Sequence, residues 1–95
     1  MPEFPGKSKG LLAFIQKHLK YPDHLRNAGI TGNVFVEFII DVDGSVKDVK
    51  ILRSIHPVLD KEAIRIIRLT SKMWKSGRQG GKAVKVQMVI PVKFS

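Results

Sequence analysis

The chain has 95 residues, enough for one small domain, and 43% of them are hydrophobic, enough for a modest core. Its net charge of +9 is uneven, with eight Lys or Arg and no Asp or Glu from Ala63 to Ser95, a field that favours nucleic acid, anionic lipid, acidic protein or cell-wall polymer. The absence of cysteine excludes disulfides, thiolate metal sites and cysteine nucleophiles, no apolar run reaches the about 18 residues of a membrane span, and Met-Pro-Glu-Phe-Pro-Gly lacks the layout of a signal peptide.

The first predicted element is a short amphipathic helix over Lys9–Leu19. Leu11, Leu12, Ile15 and Leu19 recur at helical spacing, with Phe14 beside them and Ser8 placed to cap. Tyr21 precedes a proline and is biased to extended geometry, which stops the helix near Lys20. Pro22 suits the first turn of a second short helix, Pro22–Asn27, ended near Gly29. Gly32–Asp41 reads as a strand with Val34, Val36, Phe38 and Ile40 on one face and Phe35, Glu37 and Ile39 on the other. Asp41-Val42-Asp43-Gly44 is a hairpin turn. The return strand, Ser45–Ser54, loses apolar parity between Val46 and Val49, which predicts a bulge near Lys47–Asp48.

Pro57 or Val58 opens a helix with Leu59, Ala63, Ile66, Ile67 and Thr70 on one side and charged residues on the other. Ser71–Ala83 reads as a basic loop with one Trp and three glycines. Trp74 is expected to plug the end of the core, its N–H bonded to a carbonyl. The chain closes on strict alternation from Val84 to Phe94, a long strand with one face on the core.

A hairpin, a crossover helix and a third strand make an α+β domain of two layers, with a three-stranded sheet in the order 2-1-3. The third strand then lies at an edge. Pro91 agrees, because proline gives no N–H to a ladder. Lys85, Lys93 and Pro91 resemble the guards that blunt such edges. The other use of an open edge is to accept a partner's strand, and the same edge could pair with itself to give a homodimer.

Catalytic chemistry finds little footing. His18, His24 and His56 lack metal-ligand spacing, no serine sits in a Gly-x-Ser-x-Gly elbow, and Asp41 and Asp43 start no complete calcium loop. Gly80-Gly81-Lys82 lacks the spacing and the hydroxyl residue of a phosphate loop. The chain is read as a non-enzyme without a cofactor or metal. Nucleic-acid binding fits the charge. However, Phe38 and Phe94 belong to the core face, and Phe35, Tyr21 and Trp74 form no adjacent stacking pair.

Taken in order, Tyr21-Pro22, Ala28-Gly29-Ile30-x-Gly32-x-Val34, Phe38-x-Ile40-Asp41-x-Asp43-Gly44, Leu59-Asp60-x-Glu62-Ala63, Trp74-x-x-Gly77, Gly81-Lys82-x-Val84 and Ile90-Pro91-Val92-x-Phe94 resemble the C-terminal domain of TonB energy transducers. The resemblance covers nearly the whole chain, and Pro-Glu-Phe-Pro-Gly resembles the opening of versions common in the Bacteroidetes. Members often have prolines near Lys72, at Ser76 and at Ala83. Their absence here implies a less rigid loop before the last strand.

The resemblance implies one domain over residues 1–95, a piece of a longer protein anchored in the inner membrane and working in the periplasm. It implies transfer of proton-motive energy from ExbB–ExbD to outer-membrane transporters of iron chelates, vitamin B12 or glycans. The domain would grip the transporter's TonB box as a strand added to its last strand, with Leu19, Lys20, Tyr21 and Pro22 contributing. The contact along the last strand would then involve Val84, Lys85, Val86, Gln87, Met88, Val89, Ile90 and Pro91, and peptidoglycan is a further anionic partner. The same fold also suits a sensing or docking domain appended to another membrane protein, such as a sensor-type metallopeptidase.

Overall fold

A computed structural model describes residues 2–95. The alternation in the middle of the chain sets the architecture. β1 (Gly32–Ile40) turns Val34, Val36, Phe38 and Ile40 inward, all fully buried, and leaves Phe35, Glu37 and Ile39 half-buried on the opposite face. β2 (Val46–Arg53) and the closing strand β5 (Val86–Phe94) pair with it antiparallel, one on each side, giving the order β2-β1-β5. The predicted 2-1-3 sheet is therefore present, with both outer strands antiparallel to the centre.

The helical layer covers one face. α3 (Pro57–Leu69) starts where His56 accepts the Val58 N–H on Nδ1 at 3.1 Å and Pro57 occupies the first turn. It buries Leu59, Ala63, Ile66 and Ile67 against the inner face of the sheet. Full burial of each such side chain is worth about 1.5–3 kcal/mol before entropy is counted. Trp74 plugs the end of this core between Phe4 and Phe38, with ring centroids 5.2 and 5.9 Å away. Its N–H donates to the Thr70 hydroxyl at 2.9 Å rather than to a carbonyl, and that hydroxyl donates to the Ile67 carbonyl.

Four expectations need correcting. α1 (Lys7–His18) begins two residues before the predicted Lys9, behind Gly6 in a left-handed conformation, and has no side-chain cap, so Ser8 lies inside the helix. α2 (Asp23–Asn27) takes Pro22 as its N-cap rather than as its first residue. The basic Ser71–Ala83 segment is not simply a loop. It contains a small hairpin, β3 (Gly77–Gln79) and β4 (Lys82–Val84), closed by Gly80 and Gly81 at φ 58° and 80°, the positive values a two-residue type I′ turn demands. The last strand is shorter than Val84–Phe94, because Val84 pairs with Gly77 in that hairpin and Lys85 separates β4 from β5.

The hairpin turn after β1 is strapped to the chain beyond α3. Lys72 N–H donates to the Gly44 carbonyl at 2.9 Å. A Cβ on Gly44 would meet the Trp74 carbonyl oxygen at 2.3 Å, so only glycine fits this approach.

Candidate functional site

The two outer strands of the sheet are built differently. β2 meets β1 with two register shifts. At one, Asp48 and Val49 together face Phe38, and Asp48 holds a left-handed φ of 52°. At the other, Leu52 is the extra residue and stands half exposed. Bulges, twist and exposed Lys47, Asp48, Lys50 and Arg53 are the usual devices that close an edge to further pairing. β5 has none of this irregularity. Its pairing runs unbroken over nine residues, from Gly32↔Phe94 to Ile40↔Val86. Inward-facing Ile90, Val92 and Phe94 are buried, and Gln87, Val89, Pro91 and Lys93 face solvent.

Pro91 identifies which backbone groups are free. It pairs with Phe35 without a register break, as a proline can when its nitrogen faces the open side of an edge strand. Residues two steps away share that orientation. Gln87, Val89 and Lys93 then turn their N–H and C=O groups outward, and a docked strand meets a missing donor at Pro91.

A trough runs beside this edge. A cavity of about 590 Å³ has Leu11, Leu12 and Ile15 of α1 on one wall and Met88, Ile90 and Pro91 of β5 on the other. A second, of about 280 Å³, shares Leu12, Ile15 and Pro91 and continues to Leu19, Tyr21 and Lys93. Leu19 and Tyr21 thus stand beside the last strand. The Tyr21 ring meets Phe94 edge-on at 5.4 Å, its hydroxyl donates to the Ile30 carbonyl, and the Arg26 guanidinium lies 4.8 Å from the ring centroid.

Lys20 and Pro22 do not line the trough, and Pro22 stands at the N-cap of α2. The Lys20 backbone N–H donates to Glu62 Oε2 of α3 at 2.6 Å. Arg65 grips Glu62 with two bonds of 2.7 Å and donates to the His18 carbonyl at 2.8 Å. This clamp holds the α1–α2 connection, and with it Tyr21, against α3. Burial pushes the Glu62 carboxyl up, but Arg65 and the Lys20 N–H outweigh it and hold the group below its ordinary value. At the opposite end of the sheet, Lys47 bonded to Asp41 at 2.7 Å and Lys72 bonded to Asp43 at 2.7 Å lower both carboxyls. These are the turn roles expected for the two aspartates.

The residues the sequence reading missed are the trough's other wall and its end. Leu11, Leu12 and Ile15 show only helical spacing in the sequence, and Phe4 belongs to no periodic pattern. Phe4 is buried and packs edge-on against Phe14 and Trp74. Among the described residues no three His, Cys, Asp or Glu side chains converge as metal ligands would, and no buried side-chain polar atom lacks a partner. The site offers backbone groups and apolar surface.

Residues 17–95 match the family model described as the Gram-negative bacterial TonB protein C-terminal. The chain belongs to this family. Protein TonB from two strains of Helicobacter pylori is 30% identical over 96 residues, a match covering 96% of the chain. The chain spans 32% of the length of these relatives. The solution structure of the Helicobacter pylori TonB C-terminal domain superposes with a TM-score of 0.70 at 27% identity, covering 90% of this chain and 88% of that one. A longer version of the same domain gives 0.67. No helix among the described residues is long and apolar enough to cross a membrane.

Proposed function

We propose that this domain is the periplasmic, partner-gripping end of a TonB-type transducer anchored in the inner membrane, and that it captures the TonB box of outer-membrane transporters as a strand added to β5. The observation that carries the reading is the contrast between an irregular, charged β2 edge and a straight β5 edge with free backbone groups. Main-chain bonds demand little of a partner's sequence, which suits one domain serving several transporters. The Leu19–Pro22 segment contributes through Leu19 and Tyr21 beside Pro91 and Lys93. The paired core of β5, β1 and α3 would transmit the pull, with ExbB–ExbD supplying the energy through the rest of the protein. The curated relatives are TonB proteins, which favours a transducer over a sensing domain of a metallopeptidase.

The test is Val89→Pro. Val89 is 48% exposed and lies two residues from Pro91, so the change removes one outward donor while sparing the ladder to β1. Affinity for a peptide from a transporter's N-terminus should fall about tenfold, the equivalent of one well-formed hydrogen bond, with the circular dichroism spectrum unchanged. Unchanged affinity would sink the reading.

A further inference from the structure

Eight Lys or Arg and no acid lie between Ala63 and Ser95, and the fold decides where that charge goes. Arg65 is paired with Glu62, and Lys72 with Asp43. Arg68 stays on α3 and Lys93 on β5. The other four, Lys75, Arg78, Lys82 and Lys85, lie on the β3–β4 hairpin or at its base, and all are exposed. Among the described residues none of these four meets a carboxylate within ion-pair distance. Glu3 is the one acid lining the polar cavity at the hairpin's base, beside Lys75, Ser76 and Arg78.

The hairpin is a separate two-stranded unit with a firm root. A Cβ on Gly77 would meet Val86 Cγ2 at 2.5 Å, and Lys75 exchanges backbone hydrogen bonds of 3.1 and 2.7 Å with Glu3. Beyond that root the three-residue strands reach about 10 Å. Arg78 pairs with Ala83 and Lys82 with Gln79, which puts the two cations on opposite faces. Arg78 Nη1 donates to the Gly81 carbonyl at 3.1 Å. That bond holds the guanidinium beside the tip and leaves its other N–H groups for a further acceptor. The tip, Gly80-Gly81, is exposed and carries no side chain.

We infer that this hairpin is a membrane-contact finger, entering the headgroup layer of an anionic phospholipid bilayer with Lys75, Arg78, Lys82 and Lys85 on lipid phosphates. A protein interface needs aromatic or apolar anchors, and the hairpin's only apolar side chains, Ala83 and Val84, are already half-buried. Single-stranded nucleic acid needs stacking aromatics, and none occurs from Lys75 to Lys85. A polymer of fixed repeat needs cations in a row on one face, whereas these surround the finger. Fluid headgroups can gather on every side of it, each cation adding to the attraction. The reach fits too, because headgroups add about 5–8 Å to each side of the hydrocarbon core. The finger is distinct from the outward groups of β5, so the contact goes beyond strand capture and needs no transporter.

Cosedimentation with vesicles tests the inference. Phosphatidylglycerol–phosphatidylethanolamine vesicles should bind the domain at low salt, and phosphatidylcholine vesicles should not. Binding should be lost at about 1 M salt, where the screening length falls to about 3 Å. Arg78→Gln with Lys82→Gln removes two cations from the finger and should weaken binding about 30-fold. Lys61→Gln with Arg68→Gln removes the same charge from exposed positions of α3 and should change binding by less than about threefold. Lys75→Gln with Lys85→Gln is the second finger pair should loss of Arg78 unseat the turn, and melting temperature reports the fold of each variant. Equal losses from the α3 pair and the finger pairs would assign binding to net charge and overturn the finger. No binding to anionic vesicles, or equal binding to phosphatidylcholine, also overturns it. Tighter binding to polyglutamate, random-sequence RNA or peptidoglycan than to vesicles would assign the hairpin to another anion and overturn the inference. No peptide is present in these mixtures, so strand capture stands or falls separately.

Discussion

The two edges of one three-stranded sheet have opposite designs. β2 is bulged twice, carries Lys47, Asp48, Lys50 and Arg53 outward, and is held at its turn by ion pairs from Asp41 and Asp43. β5 is regular for nine paired residues, contains no acidic residue, and is guarded only by Lys85, Lys93 and one proline. Both share the same central strand and the same core, so fold stability does not distinguish them. The difference lies in what each leaves available. An edge that accepts a partner must stay straight, and an edge that must not needs an irregularity of its own.

The largest disruption removes what both edges share. Phe38 is fully buried, pairs with Met88 of β5 and lies opposite the β2 bulge. Phe38→Ala should cost about 3–5 kcal/mol, a large part of a small domain's total stability, and denaturant melts should show both edges failing together.

Proline placed on each edge separates them. Val89→Pro should weaken peptide binding about tenfold. Leu52→Pro, at the extra residue of the β2 bulge where proline is tolerated, should leave affinity within about twofold. Calorimetric titration of the two variants makes the comparison.

Acid should act unequally on the molecule. The carboxyls of Asp41, Asp43 and Glu62 all sit below their ordinary values when folded, by hydrogen bonds to Lys47, to Lys72, and to Arg65 and Lys20. A depressed carboxyl contributes stability above its unfolded pKa of about 4, and that stability is lost as pH falls through the folded value. Melting temperature should therefore drop below about pH 4. Amide exchange should rise first at Lys20, Val42 and Ser45, whose N–H groups donate to Glu62, Asp41 and Asp43, and last along β5. Glu62→Gln, which removes the charge from the clamp, should flatten the profile and loosen Tyr21.

The smallest effect sharpens the account of the bulge. Asp48 holds φ 52° without being glycine. Asp48→Gly should raise stability by about 0.5 kcal/mol, the relief of a left-handed backbone less glycine's added entropy.

Much of this contrast was legible in the residues. Pro91 within an alternating run marked an edge strand, the parity slip between Val46 and Val49 marked the bulge, and Asp43-Gly44 marked the turn between β1 and β2. The break at Lys85 was not legible, because Val84 and Val86 keep the same parity and alternation does not report which neighbour a residue pairs with. The β3–β4 hairpin escaped because Arg78, Gln79 and Lys82 around Gly80-Gly81 carry no apolar alternation. The trough escaped for a related reason. Helical spacing of Leu11, Leu12 and Ile15 identifies an apolar face, yet it cannot say whether that face packs on a sheet or stands off from it. The Leu19–Tyr21 wall came from family resemblance, and periodicity alone read Tyr21-Pro22 as a helix stop.

The measurement that bears most directly on the central claim is an NMR titration of the labelled domain with peptides from the N-termini of outer-membrane transporters, following amides of both edges at once. The account predicts shifts concentrated in Val86–Ile90 and Leu19–Tyr21, with Val46–Arg53 unmoved. Shifts centred on β2, or none at millimolar peptide, would contradict it.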